Sequence, residues 1–174
     1  MTVEFAKLHG AGNDYIAIDG RGMDRDWGAL SKVMSQLAFG VGSDGIVLVQ
    51  HSDVAQIRMR VYNPDGSEAE MSGNGIRLFS KFVIDRKIAI PDPDGLTVET
   101  GGGVRTVWPT MEGDKMVAAK VAMGEPTFIP SEIPVDVTQI GDANILKGFP
   151  IIAGERELKI TCLAVGNPHA VVVM

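Results

Sequence analysis

The chain has 174 residues, 45% hydrophobic and 22% charged, with a formal net charge of -6 at pH 7. That size and balance suit one globular domain or one and a half, and the negative charge argues against a nucleic-acid backbone as partner. No apolar run approaches the roughly 20 residues of a membrane span, no leader pattern opens the chain, and the single cysteine, Cys162, allows no internal disulfide; a cytoplasmic protein without membrane partners is expected.

Val3, Phe5 and Leu8 form a loose strand pattern ending in His9-Gly10-Ala11-Gly12-Asn13-Asp14, and residues 15–19 read as the returning strand of a hairpin. Asp26 has the character of a helix N-cap. After it, Trp27, Leu30, Val33, Met34 and Leu37 recur at helical spacing until Gly40 and Gly42. Residues 45–50 are a short apolar strand. Ile57, Met59 and Val61 alternate with Arg58, Arg60 and Tyr62, the pattern of a half-buried strand. Residues 63–67 make a turn. A second helix is predicted over 73–86, apolar around most of its circumference and therefore deeply buried. Strands follow near 96–100, 104–108 and 116–123. Residues 124–154 carry four prolines and read as irregular or short strand, and strands return at 158–165 and 170–174. Strands and helices do not alternate regularly, which argues against a doubly wound parallel sheet. The fold class is α+β, a curved mixed sheet wrapped around the helix at 73–86.

Residues 10–14 and 164–168 both place a Gly-Asn turn between strands. This echo suggests a duplicated lobe: residues 1–117 as the N-terminal one and 118–174 as the incomplete beginning of the second. The chain ends in the uncharged apolar run 170–174, whereas termini are usually polar, so a fragment is expected. An unpaired apolar strand there also favours association between copies, as a homodimer or otherwise.

Gly40-Val41-Gly42-Ser43-Asp44-Gly45 matches the dinucleotide fingerprint in letters but follows a helix and precedes a strand, the reverse of what that motif requires. A helix stop and a strand entry account for its glycines. His9, His51 and His169 show no metal-ligand spacing, so no metal is expected. The segment Ser72-Gly73-Asn74-Gly75 differs in kind, because it leads directly into the most apolar helix. The first N–H groups of that helix lack internal partners and sit at the positive end of its dipole, while glycine lets a ligand approach closely. Such an end suits a carboxylate. The simplest reading of Ser72 alone remains an ordinary N-cap.

Four segments, 7–15, 40–45, 63–77 and 166–171, resemble in order and spacing the motifs of the diaminopimelate epimerase family, within the wider proline racemase-like superfamily. The resemblance covers the whole chain. It implies two similar lobes, each a barrel-like sheet around a central helix, with the active site between them. It implies epimerisation of LL- to meso-diaminopimelate, in lysine and peptidoglycan biosynthesis, without pyridoxal phosphate or other cofactor. Two cysteines on opposite faces of the substrate would move the proton. Ser72 occupies the position of the first, and the second falls beyond residue 174. By the same resemblance, Asn13 and Asn63 meet the distal groups of an amino-acid substrate, Gly73 and Asn74 hold its α-carboxylate, Asn167 contacts it, and His169 tunes the pKa of a catalytic group. Neutral amides suit a zwitterion, since they serve both ammonium and carboxylate.

A serine hydroxyl does not ionise usefully without a neighbouring base; His9 and His169 are the imidazoles that could approach Ser72. Cys162, on a predicted strand, reads as a small buried apolar residue rather than a substitute. The expectation is therefore an isomerase fragment, inactive as it stands. Alternatives are a related racemase, a hydroxyproline dehydratase, or a non-catalytic fragment that binds amino acids.

Overall fold

The computed structural model describes residues 2–173 and divides into two compact units, meeting between Ala122 and Met123. The expected boundary after residue 117 moves because it would cut a strand, Lys115–Val121, that stays paired to its hairpin partner along its length.

The first unit opens with the hairpin β1 (Ala6–Gly10) and β2 (Asn13–Asp19). Its two-residue turn, Ala11-Gly12, has positive φ at both positions, the geometry whose twist suits a tight hairpin. The helix α1 (Trp27–Met34) follows, with the Asp26 carboxylate accepting from the Ala29 N–H at 2.9 Å. The strands β3 (Ile46–Gln50), β4 (Ile57–Tyr62) and β5 (Glu68–Ala69) lead to α2 (Gly73–Asp85), and β6 (Leu96–Thr100), β7 (Gly103–Glu112) and β8 (Lys115–Val121) complete the unit. One mixed sheet runs β1-β2-β3-β4-β6-β7-β8, with β5 paired to β4. The β2–β3 and β4–β6 pairs are parallel and the remainder antiparallel.

The sheet curls around α2, which touches β1, β2, β3, β4, β7 and β8. Eight of the helix's thirteen residues are buried, Phe79 completely. On the other face, Ile16, Ile18, Ile46 and Leu48 cluster with Trp27 of α1. Side chains alternate across a strand, so Val47 points the opposite way, toward the start of α2: its methyl lies 3.5 Å from where a Cβ on Gly75 would sit. Covered on both faces, β3 reads as an unbroken apolar run rather than an alternating one.

The first helix ends sooner than its periodicity predicts. Ser35 caps it, the Val41 and Gly42 N–H groups both donate to the Met34 carbonyl, and Leu37 is left 92% exposed. The three fingerprint-like glycines each have a packing reason. A Cβ on Gly40 would meet the Val33 carbonyl at 2.4 Å, Gly42 has φ +73°, and Gly45 has φ +135° with the Tyr62 carbonyl 2.1 Å from a would-be Cβ.

The second unit contains two short 3-10 turns, Pro130–Glu132 and Val137–Gln139, and an antiparallel sheet. Its strands are β9 (Phe149–Ala153), β10 (Arg156–Ala164) and β11 (Pro168–Val172), in the order β11-β10-β9. Residue 174, the last of the expected final strand, lies outside the described residues.

The far end of α2 is fixed by Asp85. Its carboxylate accepts from the Met116 N–H at 2.8 Å and from the Lys81 ammonium at 2.9 Å, and that ammonium also donates to the Met116 carbonyl. Burial pushes the Asp85 carboxyl up, but the Lys81 and Met116 hydrogen bonds and the Lys81 and Lys115 charges outweigh it and hold it below its ordinary value. A depressed folded-state pKa contributes stability above the unfolded value of about 3.9, and that stability is lost as pH falls through the folded-state pKa. Asp85→Asn should cost on the order of 1–2 kcal/mol near neutrality, and the deficit should shrink as pH falls through the lowered folded-state pKa. Urea titrations across pH read this directly; a deficit independent of pH would contradict it.

Candidate functional site

The N-terminal end of α2 gathers four of the expected residues. Ser72 has extended backbone, φ -138° and ψ 114°, and its hydroxyl accepts from the Gly75 N–H at 2.9 Å. This closeness needs glycine at 75, where a Cβ would lie 2.9 Å from both Ser72 Cβ and Oγ. The N–H groups of Gly73 and Asn74 occupy the first turn, where no intrahelical acceptor exists, at the positive end of the helix dipole. Both residues are half-buried, and a helix start of this kind suits an anion.

Asn13 arrives from β2. Its carbonyl oxygen accepts from Asn74 Nδ2 at 2.7 Å, and its own Nδ2 donates to the Asp44 carboxylate at 2.9 Å. The Arg77 guanidinium donates to the Asn74 carbonyl oxygen. Tyr15, two residues along β2 and buried, places its hydroxyl 3.3 Å from Ser72 Oγ. Beside the site, the Lys7 ammonium, 2.8 Å from Asp14, holds that carboxyl below its usual range.

Asn63 lies in the same unit but is otherwise engaged. It starts the turn into β5, its Nδ2 donates to Ser67 Oγ at 3.0 Å, and the Ser31 hydroxyl of α1 is shared between the Tyr62 and Asn63 carbonyls. Its Cα lies 3.4 Å from where a Cβ on Gly45 would sit, which brings its backbone beside Asp44-Gly45. Among the described residues no hydrogen bond joins its side chain to Asn13, Ser72 or Asn74.

Within the first unit neither imidazole nor carboxylate hydrogen-bonds to Ser72 Oγ; its partners are a phenol and a backbone N–H. His9 stands exposed on β1, paired in register with Asp14. In the second unit, His169 Nε2 and Asn167 Oδ1 are 3.0 Å apart across the turn from β10 into β11. Cys162 is half-buried on β10 opposite Ala170, not fully enclosed as expected, and lines a small hollow with His169, Ile133 and Pro134. Among the described residues no three His, Cys, Asp or Glu side chains form a group able to hold a metal, and no helix is long and apolar enough to cross a membrane.

Sequence reasoning missed Asp44, Arg77 and Tyr15. Tyr15 had a legible strand position, but which polar group it meets depends on where α2 docks. Asp44 lay within a segment that carries part of the family resemblance, but nothing in the letters gave its carboxylate a partner.

Since Ser72 Oγ caps α2, Ser72→Ala should lower stability by about 1 kcal/mol, read as a shift of the urea midpoint at unchanged slope. An unchanged midpoint would mean that the hydroxyl is not engaged as a cap.

Known proteins with this sequence pattern complete the description. The sequence model of the family "Diaminopimelate epimerase" matches residues 5–129. The diaminopimelate epimerase of Agathobacter rectalis is 43% identical over 175 aligned positions, covering 98% of this chain and 60% of that protein. That of Methanococcus maripaludis is 42% identical over 170, covering 97% and 59%. The chain thus spans about 60% of the length of these curated relatives. Among solved structures, a hydroxyproline epimerase from Agrobacterium vitis superposes with a TM-score of 0.67 at 14% identity, covering 97% of this chain and 50% of that one. At that identity the likeness shows the fold alone, and it is the fold expected, a mixed sheet curled around a central helix. The chain belongs to the diaminopimelate epimerase family.

Proposed function

We propose that this chain supplies the N-terminal half of an isomerase that interconverts LL- and meso-diaminopimelate without pyridoxal phosphate, the step that serves lysine and peptidoglycan synthesis. The observation that carries the reading is the N-terminal end of α2, where Ser72, Gly73 and Asn74 stand beside Asn13 and Tyr15. The free N–H groups of that end receive the α-carboxylate. Asn13 and Asn63 serve the distal amino and carboxylate groups, Asn167 contacts the substrate, and His169 sets the pKa of a catalytic group.

Epimerisation breaks the Cα–H bond on one face, leaves the electron pair on a carbanion conjugated with the carboxyl group, and forms a new C–H bond on the opposite face. Two groups are required, one to remove the proton and one to supply another. Ser72 stands where the family's first cysteine stands. A cysteine there, with a reference pKa of about 8.5 and a helix N-terminus to lower it, reaches the thiolate form. The Ser72 hydroxyl has only a phenol and an N–H beside it and no base to activate it. In this reading the second acid/base lies in the part of the relatives' length that these 174 residues do not span.

Exchange of the α-proton in deuterated buffer tests this, with LL- and meso-diaminopimelate as substrates. Four proteins are compared: the chain, its Ser72→Cys variant, and each joined to the C-terminal part of the Agathobacter rectalis relative. The joined Ser72→Cys protein should exchange the proton, and the joined Ser72 protein should be slower by about 100-fold or more. Neither short chain should exceed buffer. Equal rates for serine and cysteine would remove the two-base reading.

A further inference from the structure

We infer that Asp44 and Arg77 are positioning residues that fix the orientation of the Asn13 and Asn74 amides, and so fix where their remaining N–H groups stand beside the helix end that receives a carboxylate; the assignment of these amides to a substrate site rests on the function proposed above. Four side chains form one continuous line. Arg77 donates to Asn74 Oδ1, Asn74 Nδ2 donates to Asn13 Oδ1 at 2.7 Å, and Asn13 Nδ2 donates to Asp44 Oδ2 at 2.9 Å. Asp44 is held in turn by β2: the same Oδ2 accepts from the Asp14 N–H at 2.9 Å, and the Asp44 N–H donates to the Asp14 carbonyl at 2.8 Å.

An isolated asparagine amide can turn over, exchanging its donor and acceptor ends at little cost. This line cannot. A guanidinium only donates and an ionised carboxylate only accepts. With a donor-only group at one end and an acceptor-only group at the other, every intervening hydrogen bond must run from Arg77 toward Asp44. Each amide spends one N–H and one lone pair within the line, and the side on which its second N–H lies is set by the ends. Formal charges at both ends also polarise the bonds between them in the same sense. The first-turn N–H groups of Gly73 and Asn74 add to this set of donors. Each amide keeps one N–H and one lone pair, now in fixed places; the preference for an anion comes from the helix end beside them, to which the fixed N–H groups contribute.

The test uses the chain labelled with 15N and follows the side-chain amide signals of Asn13 and Asn74. Acetate is the carboxylate probe and methylammonium the cationic control. Acetate should shift both signals in the native chain and methylammonium should not. Arg77→Met, at an exposed position, should weaken the acetate response about tenfold, of the order expected for losing one charge-assisted hydrogen bond. Arg77→Lys, still a pure donor, should restore most of it. Asp44→Asn keeps the shape but allows the line to run backwards, and should match Arg77→Met. Thermal midpoints close to native would separate orientation from unfolding. Equal acetate responses in native, Arg77→Met and Asp44→Asn proteins would overturn the inference, as would a methylammonium response as large as that to acetate. Diaminopimelate that failed to bind while acetate behaved as described would count against the proposed substrate only.

Discussion

Burial of α2 is the constraint from which the rest of the first unit follows. A helix with eight of thirteen residues buried, and Ile76, Phe79 and Val83 fully enclosed, has almost no freedom of rotation or slide inside its sheet. Val47 abuts its start, Leu78 fits against Gly10, and Asp85 ties its end to β8. With both ends located, the N-terminal end meets Asn13 and Tyr15 of β2 and Val47 of β3. The same docking that satisfies the hydrophobic core therefore delivers the first-turn N–H groups of Gly73 and Asn74, a serine and an asparagine to one place.

The polar groups brought there are matched to that end rather than scattered over it. Ser72 Oγ is consumed by capping and by Tyr15, which suits it to hold the helix and leaves it ill suited to abstract a proton. The amides of Asn13 and Asn74 lie in a line whose ends carry opposite charges. Structure and chemistry thus divide the labour: the hydrophobic core sets position, and hydrogen bonding sets which atoms face outward.

What could be read from the letters followed from local physics. The alternation Ile57, Met59, Val61 matches β4, and the helical spacing from 73 onward matches α2 to within a residue. Asp26 caps α1 as a lone aspartate before an apolar period should. Leu37 misled because periodicity takes every apolar residue to point inward, whereas the helix ends at Met34 and Leu37 falls in the loop that brings Val41 and Gly42 back to the Met34 carbonyl. In the site, Ser72, Gly73 and Asn74 were legible because a helix start is a local event. The partnership of Asp44 with Asn13, 31 residues apart, and of Tyr15 with Ser72, 57 apart, arises only when β2, β3 and α2 assemble. Asn63 was legible as a turn residue, and its Nδ2 donates within that turn to Ser67.

In the proposed function the N-terminal end of α2 is where this chain meets a substrate carboxylate. Backbone 1H–15N spectra of the chain titrated with meso-diaminopimelate test it most directly. Saturable shifts should concentrate at Gly73, Asn74 and Gly75, with a smaller response at Asn13 and Tyr15. Shifts confined to other parts of the chain, or none at millimolar ligand, would contradict it.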